Sequence, residues 1–156
     1  MSLYTASINS GSNGNCYYIS NGNDAVLVDA GISCRETEIR MKKMGLNIAK
    51  VRAIFITHEH TDHIKGAQLL SSRYKIPAYL NHKTHYTSHL KFKPELYRRI
   101  EHGEVIDVNG MQVTGFSKLH DASDPFSFVV QHAGITVGVF TDIGAVCDNL
   151  KQYMSQ

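Results

Sequence analysis

Hydrophobic and polar positions along the chain divide it into strands, then helices, then strands again. Residues 2–9 and 15–20 read as strands around a turn-rich loop, NSGSNGN. AVLVDAG, residues 25–31, is a continuous apolar run that ends in an acid and a glycine, as a buried strand does. In SCRETEIRMKKMG, Ser33 and Glu36 have capping-box spacing and Gly45 offers the stop. That segment predicts a helix packing through Ile39, Met41 and Met44. VRAIFIT is a second buried strand, and it runs directly into THEHTDHIKG. A helix is expected from about Asp62 to Tyr74, with Ile64, Ala67, Leu69 and Leu70 inside. IPAYL is a short strand, and residues 82–102 read as polar and weakly helical. VIDVNGMQVTGFSKL predicts a hairpin turning at Asn109-Gly110. FSFVVQHAGITVGVFTD predicts a second, turning near Ala133-Gly134, and a final helix is expected over 145–154. This order implies a mixed α/β or α+β chain rather than a regular βαβ repeat.

Composition narrows the class. With 156 residues, 42% hydrophobic and 19% charged, the chain is expected to form one ordered domain over 1–156. No apolar run is long enough to cross a membrane, so no membrane partner is expected. The start lacks the basic and apolar regions of a signal peptide. The three cysteines (Cys16, Cys34 and Cys147) form no C-x-x-C pair. A reducing cytoplasm is the expected location. The net charge is only +2, but it is uneven: Arg35 to Arg99 holds 14 Lys/Arg against 5 Asp/Glu, and the remainder holds 2 against 9. A basic middle suits a polyanion such as DNA or another phosphodiester, although scattered lysines also serve as ordinary solvated faces.

The chemistry concentrates in residues 57–66. His58, His60, Asp62 and His63 fall within six positions, directly after a buried strand. In an extended stretch His58 and His60 point to one side. Entry into a helix then makes Asp62 and His63 neighbours on its first turn. Two adjacent ligand sets suit two divalent cations; imidazole and carboxylate favour zinc, with iron or manganese as alternatives. The competing reading is a His-rich surface loop. The zincin spacing H-E-x-x-H is absent, and no Ser-His or Cys-His triad is evident.

H-x-H-x-D-H after a buried strand resembles the signature of the metallo-β-lactamase fold superfamily. Asp29 in VLVDAG, His120 in LHDASDP and Asp142 in FTDIG match later landmarks of that family. SGSNGNCYYI, HDASDPFSF and TDIG look more narrowly like the YycJ/WalJ-like bacterial hydrolases. The resemblance implies an αββα sandwich. It implies that His58, His60 and His120 hold one metal, that Asp62 and His63 help hold a second, and that Asp142 bridges. Asp29 would support the ligands from behind, and Asp62 would also orient the attacking hydroxide. Two cations make hydroxide available at neutral pH and offset charge on a phosphoryl oxygen.

One departure stands out. The family has a further histidine late in the chain, and subgroup members run about a hundred residues longer, by resemblance. Here the chain stops 14 residues after Asp142 and has no histidine after His132. It therefore reads as the first half of the sandwich. The second metal site is expected to lack a ligand and to bind weakly. The inner face of the sheet is expected to be open, inviting a second copy (a homodimer) or a complementing chain.

Other residues carry weaker signals. His82, His85 and His89 have roughly helical spacing, a second metal site being the sharper reading and surface residues the plainer one. His102 and His132 read as structural or exposed. Ser10, Gly11, Ser12 and Asn13 form a candidate substrate loop that could present N–H groups to phosphate, or a plain turn. Tyr17, Tyr18 and Tyr79 read as core rather than base-stacking residues. The expected function is a metal-dependent hydrolase, a phosphodiesterase or DNA exonuclease by subgroup resemblance. The alternatives are a thioesterase, lactonase or lactamase of the same fold, or a metal-binding fragment without turnover.

Overall fold

The computed structural model describes residues 2–118 and 122–140. The expected helix over 145–154 lies outside them. A six-stranded sheet runs in the order β1 (Tyr4–Asn9), β2 (Cys16–Ser20), β3 (Ala25–Val28), β4 (Val51–Phe55), β5 (Ala78–Leu80) and β6 (Tyr97–Arg99). β1, β2 and β3 pair antiparallel, whereas β3 through β6 pair parallel. Parallel neighbours need crossovers. These are α1 (Cys34–Lys43) with a 3₁₀ turn at Ile48–Lys50, then α2 (Thr61–Ile64) with α3 (Ala67–Tyr74), then α4 (His82–Ser88). A second, antiparallel sheet holds β7 (Val105–Val108), β8 (Met111–Ser117), β9 (Phe126–His132) and β10 (Ile135–Val139). Its two tight turns have positive φ at both central residues, 49° and 93° at Asn109-Gly110 and 50° and 79° at Ala133-Gly134. That conformation matches the twist of the flanking strands.

Alternation along the strands creates two cores. Ala25, Leu27, Ile54, Ile56 and Leu80 face the helices and pack with Met41, Ala67 and Leu70. Val26, Val28, Ala53 and Phe55 face the opposite way and pack with Val113, Phe126, Phe128 and Val130 of the second sheet. Phe55 stands at the centre of that layer, 4.8 Å from the Tyr79 ring and 5.3 Å from the Phe128 ring. The described residues thus form three layers: helices, sheet, sheet. The inner face of the first sheet is not open, as the short length suggested; β7–β10 fill it.

Three local expectations need correction. α1 buries Cys34, Thr37 and Met41, while Ile39 and Met44 are 37% and 41% exposed. Ser33 caps it as expected, accepting from Glu36 N at 3.1 Å, but the Glu36 carboxylate turns to Arg40 instead of back to the cap. The single helix over 62–74 is two helices broken at Lys65-Gly66. Gly66 N donates to Ala30 O at 2.8 Å, and a Cβ there would lie 2.1 Å from Ile32 O, so close backbone approach decides the break. Leu69 lies on the outer side of α3, 52% exposed. In residues 82–102 the helix stops at Ser88, and 97–99 join the sheet as β6.

Truncating Phe128 to alanine is expected to lower unfolding stability by about 3–5 kcal/mol in urea denaturation. Leu69→Ala is expected to change it by less than about 0.5 kcal/mol.

Candidate metal centre

Parallel strands β3 and β4 end side by side, and the chain leaves both at the same edge. Asp29 follows β3 directly, and Thr57 and His58 follow β4. Ligands of open α/β sheets gather at such carboxyl ends. Asp29 has φ 65°, a left-handed conformation that a non-glycine residue adopts only when its surroundings hold it there. Its side chain is fully buried and accepts three hydrogen bonds: from Thr57 N at 2.7 Å, Thr57 Oγ1 at 2.8 Å and His63 Nδ1 at 2.6 Å.

These bonds fix two imidazole tautomers. A carboxylate only accepts, so the His63 proton sits on Nδ1 and leaves Nε2 as the acceptor nitrogen. Thr57 Oγ1 spends its only proton on Asp29 Oδ2, so its 2.8 Å contact with His58 Nδ1 runs from the ring to the hydroxyl. His58 therefore also presents Nε2 as an acceptor. One buried carboxylate, directly for His63 and through a threonine for His58, sets both rings in the form that binds a metal.

The three rings of the motif lie together. His58 and His60 have centroids 4.6 Å apart, and His58 and His63 have centroids 4.1 Å apart. The backbone is extended at His60 (φ −64°, ψ 141°), and α2 begins at Thr61. Asp62 Oδ2 stands 3.5 Å from His63 Nε2. Among the described residues no three His, Cys, Asp or Glu side chains already surround one point at metal-binding distances. His120 and Asp142 lie outside the described residues. The flanks of the His120 segment are tied to the motif nonetheless. Phe126 N donates to Thr57 O at 2.8 Å, and Ser123 N donates to Glu59 Oε2 at 3.0 Å. The donor set fits a divalent cation: two Nε2 acceptors with buried support, a third ring beside them and a part-exposed carboxylate.

The site also uses residues that the sequence pattern did not single out. Asn15 is nearly buried; its amide nitrogen stands 3.3 Å from Asp62 Oδ2 and 3.3 Å from His63 Nε2. Its backbone N–H donates to Asp62 O at 2.7 Å. Gly31 N donates to Asn15 O at 2.9 Å, and a Cβ on Gly31 would fall 1.8 Å from Asp62 O. The glycine-rich loop, the end of β3 and the start of α2 are thus laced together by backbone. Asn15 was legible only as the last residue of NSGSNGN, and Thr57 and Glu59 only as the spacers around His58. Burial first, then the Asp29 charge, push the thiol of buried Cys16 up, which favours its protonated form.

The other histidines stand apart. His85 stacks on Tyr97 at 4.0 Å, and burial, with His82 second, lowers its pKa. His89 is exposed at the end of α4 with φ 58°, so the two do not share a ligand face. His102 Nδ1 accepts from Ser117 N at 3.0 Å, and His132 Nδ1 contacts Gly110 O at 2.9 Å. Tyr18 is buried and Tyr79 lies on Phe55, as core residues do.

The model of the metallo-beta-lactamase superfamily matches residues 10–146. The chain is 34% identical to an exodeoxyribonuclease YycJ of Bacillus anthracis, over 97% of this chain and 58% of that protein. It is 29% identical to an exodeoxyribonuclease WalJ of Streptococcus pneumoniae, over 90% of this chain and 54% of that protein. Among solved structures, the metallo-beta-lactamase fold protein YhfI of Bacillus subtilis superposes with a TM-score of 0.71 at 15% identity, covering 88% of this chain and 62% of that one. The chain therefore spans little more than half the length of the curated relatives it matches.

Asp29→Asn is expected to test the buried carboxylate cleanly, because asparagine tolerates the left-handed backbone that position 29 adopts. The variant cannot accept from all three donors, and its amide offers a proton where an acceptor is needed. We expect metal affinity, read by competition with a chromogenic chelator, to fall by about 10- to 100-fold. Asp29→Ala is expected to cost about 3 kcal/mol or more of stability as well.

Proposed function

The chain belongs to the metallo-beta-lactamase superfamily, and from that premise we propose that it carries the metal-binding part of a hydrolase acting on phosphodiesters, with DNA as the substrate. The observation that carries the metal reading is the Asp29 network, which leaves Nε2 as the acceptor nitrogen on both His58 and His63, the latter 3.5 Å from Asp62 Oδ2. In this proposal His58, His60 and His120 would hold one cation, Asp62 and His63 would contribute to a second, and Asp142 would be a further ligand. Zinc suits the nitrogen-rich set, with manganese or iron as alternatives. When bound, such cations supply a nucleophile at neutral pH and offset charge on the oxygen of the attacked ester.

The residues of the chain divide the remaining work. Asp29 and Thr57 hold the imidazole protons on Nδ1, away from the centre. Asp62, 32% exposed, is the carboxylate placed to accept a proton or orient water at the open side. Asn15 holds that carboxylate from behind through its amide. Two observations support the nuclease reading over other esters: likeness to proteins named as exodeoxyribonucleases, and the basic stretch from Arg35 to Arg99.

Activity of this chain on bis(p-nitrophenyl) phosphate, on end-labelled DNA and on a chromogenic lactam sorts the substrate. We expect the phosphodiesters to be cleaved and the lactam spared. Chelator should abolish turnover and added zinc or manganese restore it, and His58→Ala should lower it about a thousandfold. Full turnover in the His58 variant, or preference for the lactam, would overturn the proposal.

A further inference from the structure

We propose that the cleft beside Asp62 is a subsite for a second phosphate of the substrate strand, next to the one under attack; it rests on the phosphodiesterase reading. The cleft has a volume of about 510 Å³ and is lined by Ser12, Asn13, Gly31, Thr61, Asp62 and Lys65. Asp62 belongs both to this lining and to the metal centre, so a strand bound over that centre would continue into the cleft.

Its lining is that of an anion site. Two hydroxyls (Ser12, Thr61), one amide (Asn13) and one ammonium (Lys65) supply donors from both sides. Lys65 is exposed and makes no ion pair among the described residues. Among the described residues, the backbone N–H groups of Ser12 and Asn13 donate to no protein acceptor, whereas those of Gly11, Gly14 and Asn15 around them do. The loop tip thus keeps two spare N–H donors while its base is tied down. Gly31 matters for shape: lacking a Cβ, it lets the loop, the β3 end and α2 close to contact and narrow the floor.

Asp62 sets the order of events. A bare carboxylate in the lining repels an anion, and a cation held by Asp62 and His63 removes that repulsion. Phosphate binding here is therefore coupled to metal binding. The coupling favours a strand with a second phosphate next to the reacting one over a small diester with only one.

The test is binding, followed by amide NMR on the whole chain with zinc present. The probe is the thymidine dinucleotide that carries a 5′-phosphate, compared with the one that lacks it. We expect the 5′-phosphorylated probe to shift the Ser12, Asn13 and Lys65 amides. Lys65→Ala should weaken it about tenfold, and Lys65→Glu more, while binding of the unphosphorylated probe changes little. Unchanged affinity in both Lys65 variants, equal loss for both probes, or no shift at Ser12 and Asn13 would overturn the subsite. Hydrolysis of bis(p-nitrophenyl) phosphate, which has no second phosphate, reports separately on the hydrolase reading. Phosphate-dependent binding without hydrolysis would keep the subsite and remove the enzyme.

Discussion

The Asp29 carboxylate is the interaction on which the rest of this structure depends. It is buried at the end of β3, on a residue held in the left-handed region. A buried charge is costly unless its lone pairs are used, and here three donors use them. Each of those donors belongs to the segment after β4. The desolvation cost of one carboxylate therefore fixes where that segment runs, which proton each ring carries and which nitrogen each ring offers. Loss of the carboxylate would release the fold at the sheet edge and the chemistry together, because the same bonds serve both.

Backbone contacts build outward from this point. Asn15 bonds both to Asp62 and to Gly31, and Gly66 closes on Ala30. Glycine is required at 31 and 66 by approach distance: any Cβ would overlap a carbonyl oxygen. The short α2 and the break before α3 follow from this closure, since the chain must bring His63 to Asp29 and Asp62 to Asn15 before the helix can run along the sheet.

Much of this was legible in the sequence. The buried strands were marked by AVLVDAG and VRAIFIT, and the hairpins by Asn109-Gly110 and Ala133-Gly134, because continuous apolar runs and turn chemistry are local signals. The histidine motif was legible for the same reason. The helix faces were less so: Leu69 and Ile39 are apolar but outward, and periodicity over eight to ten residues cannot choose between adjacent faces. The open inner sheet face was an error of inference from length. Four antiparallel strands after residue 104 suffice to cover it, and the alternation in VTGFSKL and FSFVV already held the apolar side that does so. Asn15 and the cleft beside Asp62 depend on loops meeting across the sheet edge, and no local pattern announces such meetings.

The most direct test follows the histidine side-chain nitrogens by NMR as zinc is added to the whole chain. Without metal, His58 and His63 should carry their protons on Nδ1. With zinc, the Nε2 signals of His58, His60 and His63 should move together, while His82, His85, His89, His102 and His132 stay in place. Zinc-dependent shifts confined to the His82–His89 group, or a proton on Nε2 of His63 in the metal-free chain, would contradict the assignment of this cluster as the metal centre.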